Sequence, residues 1–394
     1  MTRLWDKGLP LDERVLRYTA GEDHLLDARL VAYDVQGSIA HAEMLAEAGL
    51  ITADDNAAIR DGLTALAASF ADGEWHIRLE DEDAHTALES RLTQQIGDAG
   101  AKLHLGRSRN DQVLTALRLY LRDAVDDLSD RVASLRSAVA GVSERQGELQ
   151  LPGYTHMQHA MPSSVALWCG GFDEAFGDAI DGLAAARRRI DKNPLGSAAG
   201  YGTPGLPIDR EATTRKLGFA CTQDPVTAVQ LSRGKAESTV LFEITLLLGD
   251  LGRMATDLLL FYTQEFAYIT LASDVTTGSS IMPQKRNPDV LELLRASAAT
   301  AQACLDESLM LTAKLQSGYQ RDLQRLKAPL FRGLDPCVDS VDIMAHVLKG
   351  MHFNPDNIHL DDGIFATAEA YRLVRDEGLP FRQAYQQVAR RYSK

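Results

Sequence analysis

The sequence predicts an all-α fold built round a bundle of very long helices. Three observations carry this expectation. Ala and Leu abound while aromatics make up only 6% of the 394 residues, a balance that favours helix over sheet. Apolar residues recur at alternating spacings of four and three over long runs, the seam of rods packed nearly parallel to one another. The helical runs of the first 105 residues are shorter, broken at Gly21, Gly49, Gly73 and Gly97, and the long runs follow them.

Taken in order, residues 1–105 read as an N-terminal helical domain of shorter runs, broken at Gly21, Gly49, Gly73 and Gly97. Residues 106–352 read as the central long-helix domain. After Gly106 the seam is Val113, Leu117, Tyr120, Ala124, Leu128, Val132, Leu135, Val139 and Val142. After Pro225 it is Val240, Ile244, Leu247, Leu251, Met254, Leu258 and Phe261. Further long patterns cover roughly Ser163 to Lys192, Asp289 to Gln316 and Leu326 to Lys349. Helices of roughly thirty to forty residues are about 45–60 Å long. Five such rods are hard to cover within one chain, so apolar stripes left on the helices after Gly106 and Pro225 predict a multi-helix core shared between copies. Residues 353–394, after Asn354-Pro355, read as a small charged helical region.

Composition excludes several classes of function. A formal net charge of −14 argues against nucleic-acid binding. The most apolar run, Val240 to Tyr262, is interrupted by Glu243, Asp250, Arg253 and Asp257, so it reads as a buried helix and not a membrane span. The first residues lack the apolar core of a signal peptide. Cys169, Cys221, Cys304 and Cys337 are widely spaced and form no metal-ligand pattern, as expected of reduced thiols in a cytoplasmic protein.

Five polar segments stand out at the ends of the rods. Gly278-Ser279-Ser280-Ile281-Met282-Pro283-Gln284-Lys285-Arg286-Asn287-Pro288-Asp289 packs small, hydroxyl, amide and cationic residues between two helical runs. It suits a mobile loop that presents amides, hydroxyls and a Lys to an anion; the plainer reading is an ordinary Ser/Gly/Pro connection. Gly106-Arg107-Ser108-Arg109-Asn110-Asp111-Gln112 opens a long helix, where free N–H groups favour a carboxylate. Capping by Ser108, Asn110 or Asp111 is the simpler account, though it leaves the two arginines unexplained. Gly153-Tyr154-Thr155-His156-Met157-Gln158-His159-Ala160-Met161-Pro162 reads as a loop, with Pro162 at a helix start. No third ligand joins His156 and His159 to make a metal site. Glu80 to Glu89 is an acidic run into a helix. Gly318-Tyr319-Gln320-Arg321-Asp322-Leu323-Gln324-Arg325-Leu326-Lys327 reads by itself as a polar turn. No P-loop, Gly-x-Gly-x-x-Gly, Gly-x-Ser-x-Gly or His-Glu-x-x-His pattern is present.

Together, and in this order, the five segments resemble those of the fumarase/aspartase superfamily of lyases. The Gln284-Lys285-Arg286-Asn287 form and the Tyr319-x-x-Asp322-Leu323-Gln324-x-x-Lys327 segment resemble the argininosuccinate lyase branch. The resemblance runs from Tyr33-Asp34-Val35-Gln36-Gly37-Ser38 to Pro380-Phe381-Arg382-Gln383-Ala384. It implies cleavage of argininosuccinate to arginine and fumarate without a cofactor or metal. Ser279 would be the base, and Lys285 and Asn287 would stabilise the aci-carboxylate. His156 would assist protonation of the leaving nitrogen, and Glu292 would polarise His156. Substrate contacts would come from Arg107, Ser108, Arg109, Asn110, Thr155, Tyr319, Gln324 and Lys327, with Asp83, His85 and Thr86 close by. The resemblance also implies a homotetramer on a twenty-helix core whose active sites draw on three chains. Adenylosuccinate cleavage, or a crystallin-like structural role on the same scaffold, are the alternatives. There are two departures. Asp23 stands where relatives often carry a substrate-contacting Ser, and the chain stops at Lys394, which implies a reduced C-terminal region.

Overall fold

A computed structural model describes residues 12–392. Its helices in chain order are α1 (Glu13–Ala20), α2 (Asp23–Leu26), α3 (Val31–Glu47), α4 (Ala53–Ala71), α5 (Ala84–Ile96), α6 (Asp98–Ala101), α7 (Arg109–Gln146), α8 (Val165–Ile190), α9 (Arg210–Leu217), α10 (Thr227–Ser232), α11 (Lys235–Phe261), α12 (Asp289–Thr312), α13 (Lys327–Gly350), α14 (Ala366–Glu377) and α15 (Phe381–Tyr392). The strands are β1 (Gln150–Thr155), β2 (Gln158–Ser164), β3 (Lys192–Asn193), β4 (Cys221–Thr222), β5 (Ile269–Thr270), β6 (Thr277–Gly278), β7 (Arg286–Asn287) and β8 (His352–Phe353). They pair β1–β2, β5–β8 and β6–β7 antiparallel and β3–β4 parallel. The fold is therefore mostly helical, and the five long runs read from the sequence appear as α7, α8, α11, α12 and α13.

By packing, the chain divides into two compact units. One comprises the described residues of Met1–Ser129 with Gly182–Ile244 and Ala301–Leu334. The other comprises Asp130–Asp181, Thr245–Thr300 and the described residues of Asp335–Lys394. The three sequence regions are stretches of texture along the chain, whereas each packing unit interleaves pieces from distant stretches.

The helix ends follow local chemistry. Thr52 and Asp55 form a reciprocal capping box at the start of α4. Gly234 precedes α11 with φ +79°, and a Cβ there would lie 2.2 Å from Thr312 Cγ2, so only glycine fits. In the first unit, Val31, Leu45, Ile59, Leu63, Leu88 and Leu92 anchor a core of α3, α4 and α5. In the second, Ala370, Leu373, Ala384 and Val388 hold α14 against α15. No helix among the described residues is long and apolar enough to cross a membrane.

The expectation that the seams on the helices after Gly106 and Pro225 would be left uncovered is corrected. On α11, Val240, Ile244, Leu247, Leu251, Met254 and Leu258 are wholly buried, and on α7 Leu117, Leu128, Val132, Leu135, Val139 and Val142 are buried too. The chain covers its own seams. The apolar residues left exposed lie elsewhere: Phe242 and Leu246 on another face of α11, Leu293, Leu309 and Met310 on α12.

Candidate active site

In the first unit three of the polar segments converge. Asp83 caps α5, its Oδ1 accepting the Thr86 N–H at 2.9 Å. His85, on the first turn of that helix, lies with Nε2 3.0 Å from Asp83 Oδ2 and Nδ1 3.6 Å from Asp34 Oδ2. Burial disfavours its cation, but Asp83 and Asp34 outweigh that and lift His85 to about 9. Burial likewise opposes ionisation of Asp83, yet His85 and Arg109 hold its carboxyl well below the usual range. His85 Nε2 is also 3.1 Å from Arg109 Nε. An imidazolium cannot accept that proton, so Arg109 is held instead through its terminal nitrogens, Nη1 at 3.3 Å from Glu82 and Nη2 against Asp83.

Ser108 and Asp111 both cap the start of α7. The Asn110 N–H reaches Ser108 Oγ at 3.3 Å, and the Ser108 N–H reaches Asp111 Oδ1 at 2.9 Å. Asp111 Oδ2 accepts the Gly196 and Ala198 N–H groups at 2.8 and 2.7 Å, fastening a glycine-rich loop to the helix start. Burial pushes Asp111 up to about 6 against these bonds. Arg107 is buried and donates to Ser38 Oγ at 2.8 Å. Asn110 is half-buried.

The third segment forms a 3₁₀ turn, Arg321–Leu326, running into α13. Lys327 is buried, with Nζ 3.0 Å from Asp23 and also bonded to Asp27. Burial lowers its basicity, but Asp27 and Asp23 more than compensate and hold the amine above its ordinary value. Burial, with Asp27 adding, raises Asp23 to about 6 despite Lys327. Gln324 Nε2 donates to the Thr19 and Ala20 carbonyls at 2.9 and 3.2 Å. Tyr319 carries the Arg233 guanidinium 5.6 Å from its ring centre. A cavity of about 630 Å³ opens here, with Thr19, Asp23, Arg321, Gln324 and Arg325 in its wall.

Three features of this cluster escaped the sequence reading. Asp23 and Asp27 pair with a lysine some 300 residues away, which no local pattern announces. Asp111 ties down the Gly196 loop. Glu82 has φ 65° and ψ −46°, and the Asp83 N–H bonds to the Asp81 carbonyl at 2.9 Å. That is a γ-turn of the rare positive-φ kind, which costs a non-glycine residue on the order of 1–3 kcal/mol.

The remaining candidates lie in the second unit. The segment read as a loop through His156, with Pro162 opening a helix, is instead an antiparallel hairpin. Thr155 pairs with Gln158, Pro162 lies within β2, and α8 begins at Val165. His156 and Met157 form the two-residue tip, with φ 53° and 61°, the positive values a tight hairpin connection demands. Glycine is usual there, and its absence is why the sequence reads as a loop. Tyr154 clasps the hairpin, its hydroxyl 2.9 Å from His159 Nε2 and 3.3 Å from the Tyr268 hydroxyl. His156 and Thr155 are exposed.

The Ser279 loop is closed at its base by β6 and β7, where Thr277 pairs with Asn287 and Gly278 with Arg286. Thr277 Oγ1 bonds Asp289, and Asn287 Nδ2 lies 3.4 Å from the Gly278 carbonyl. Ser279 Oγ accepts the Ile281 and Met282 N–H groups at 3.3 and 3.1 Å. Two amides directed at one hydroxyl oxygen are what a developing alkoxide needs. Lys285 at the loop's end and Glu292 one turn into α12 are exposed. Among the described residues, no hydrogen bond or ion pair joins His156 to Glu292 or to Ser279 within the chain.

Residues 13–303 match the family model described as Lyase. An argininosuccinate lyase of Sorangium cellulosum (strain So ce56) is 45% identical over 389 residues, 98% of this chain and 90% of that one. One of Thermotoga neapolitana is 38% identical over 401 residues, 100% of this chain and 98% of that one. Among solved structures, an EDDS lyase in complex with formate superposes with a TM-score of 0.83 at 26% identity, covering 97% of this chain and 76% of that one. A recombinant class II fumarase from Schistosoma mansoni gives 0.80 at 18% identity, over 97% and 89% of the two chains, a likeness of fold alone. The chain belongs to this lyase family, and within it to the argininosuccinate lyases.

Proposed function

We propose that the protein splits argininosuccinate into arginine and fumarate by cofactor-free β-elimination, with Ser279 as the base. The observation that carries the assignment of the base is the pair of N–H groups, from Ile281 and Met282, on Ser279 Oγ. A serine hydroxyl is far too weak an acid to serve at neutral pH unless its alkoxide is stabilised. Ser279 takes the proton from the carbon beside a carboxylate. The electron pair passes into that carboxylate, giving a doubly charged aci-form held by Lys285, Asn287 and loop amides. The C–N bond then breaks, the carbon–carbon double bond of fumarate forms, and the guanidine nitrogen receives a proton with the help of His156. Glu292 polarises His156. Arg107, Ser108, Arg109, Asn110, Thr155, Tyr319, Gln324 and Lys327 bind or frame the substrate, supported by Asp83, His85 and Thr86.

Purified protein is expected to release fumarate from argininosuccinate with no added metal or nucleotide, and not from adenylosuccinate assayed beside it. Release only from adenylosuccinate would reassign the substrate. Inertness toward both would favour the crystallin-like alternative. Activity abolished by chelation and restored by metal would overturn the cofactor-free scheme.

The working form in this reading is a cytoplasmic homotetramer with shared sites. It is supported by the exposed Phe242, Leu246, Leu293 and Met310, and by the exposure of the His156 tip. Co-refolding His156→Asn subunits with Lys285→Ala subunits, each inactive alone, is expected to restore activity, because some mixed sites then carry both intact residues. A monomer by light scattering, or no recovery at any mixing ratio, would place the site on one chain.

A further inference from the structure

Glu82, in one of the three polar segments of the first unit, touches both of the others. Its carboxylate is buried, at 3% exposure, and Oε2 is shared between two arginines. Arg109 Nη1 lies 3.3 Å away, at the start of α7, and Arg321 Nη2 lies 3.6 Å away, in the 3₁₀ turn. Arg321 faces the cavity and also holds Gln324, its Nε 3.1 Å from Gln324 Oε1, while Nη2 donates to the Thr19 carbonyl at 2.9 Å. Glu82 sits at the centre of the γ-turn, with φ 65°. A glutamate kept in a backbone conformation that favours glycine points to a need for the side chain at that place. The turn also reverses the chain so that Glu82 and Asp83 both face Arg109, one on each terminal nitrogen.

On the reading given above, we propose that Glu82 is a positioning residue for substrate binding. Its carboxylate ties Arg321, which holds Gln324 in the wall of the cavity, to Arg109 at the start of α7, and so sets the spacing of the contacts that receive the substrate. Glu82 does not reach the reacting atoms in this scheme. Its effect passes through Arg321 and Arg109, and the acid/base residues of the other unit are untouched.

The test is steady-state kinetics on argininosuccinate with the full-length oligomeric protein, comparing Glu82→Gln, Glu82→Asp, Arg321→Gln and the double variant Glu82→Gln/Arg321→Gln. Glu82→Gln keeps the shape and loses the charge, and should raise KM about tenfold while kcat stays within about threefold, the pattern of lost binding that is common to ground and transition states. Glu82→Asp should recover part of the loss. Adding Glu82→Gln to Arg321→Gln should raise KM by less than Glu82→Gln does alone, because the Glu82–Arg321 contact is already gone and only the Arg109 contact is left to lose. Unchanged KM in Glu82→Gln, or full additivity in the double variant, would overturn the proposal. A fall in kcat at constant KM, tracking the fraction of folded protein by circular dichroism, would reduce Glu82 to a structural role and overturn it equally. If Glu82→Gln does not fold, the Glu82→Asp and Arg321→Gln values of KM decide. A wild-type protein inactive on argininosuccinate would sink the substrate reading itself, a separate result.

Discussion

Replacing Ser279 by Ala is expected to lower kcat on the order of 10³-fold, about 4 kcal/mol of barrier, with little change in substrate affinity. The base acts only as the proton leaves carbon, whereas binding is spread over several amide and cationic contacts, so the loss falls on turnover. Ser280→Ala is the control. Ser280 is exposed, while Ser279 Oγ receives the Ile281 and Met282 amides, so the control should stay within about tenfold of wild type. Single-turnover measurement separates chemistry from product release. Ser279→Ala turnover within about tenfold, less than roughly 1.4 kcal/mol, would move the base to another group.

The second large effect is on stability. Lys327→Met removes a buried cation that faces two carboxylates, Asp23 and Asp27. Leaving buried charge uncompensated costs about 3–5 kcal/mol. Burial has already raised Asp23 to about 6 even with the lysine present, so without it protonation of one carboxyl relieves part of the cost. The variant should therefore unfold at a markedly lower urea concentration at neutral pH. Loss of the lysine raises Asp23 further, so the variant takes up a proton above the wild-type value and the difference should narrow as pH falls from neutral toward about 6. The triple variant Lys327→Met/Asp23→Asn/Asp27→Asn should regain much of the loss at pH 7. An unfolding midpoint for Lys327→Met equal to that of wild type would mean that the pair is solvated and not buried.

Each polar segment was visible in the sequence as an anomaly, an excess of hydroxyls, amides and cations at the end of an apolar seam. Ser279 could be chosen over Ser280 only through the family resemblance of its segment, and Ser108 and Asp111 by cap chemistry. Their partners could not. The hydrogen bonds on Ser279 Oγ depend on how the Ile281 and Met282 amides turn back inside a loop closed by a two-residue ladder. Lys327 read as a substrate contact through its match to the family segment, and only folding places it between Asp23 and Asp27. Glu82 read as part of a solvated acidic run and proved to be buried on two arginines.

What the sequence by itself determined is the part governed by local periodicity. The four-and-three spacing of Val240 to Phe261 fixes a helix and its buried face, because each turn of helix returns the same side to its neighbours. The caps of α4 and α7 follow from side chains within three residues of the amides they satisfy. Tertiary structure alone decided which cations are spent on internal carboxylates and that the chain covers its own seams. It also made a hairpin at His156, although the tip carries no glycine. These outcomes depend on burial and on contacts between residues far apart in sequence, where the energy of a charge or a strained turn is set by the neighbours that folding brings to it.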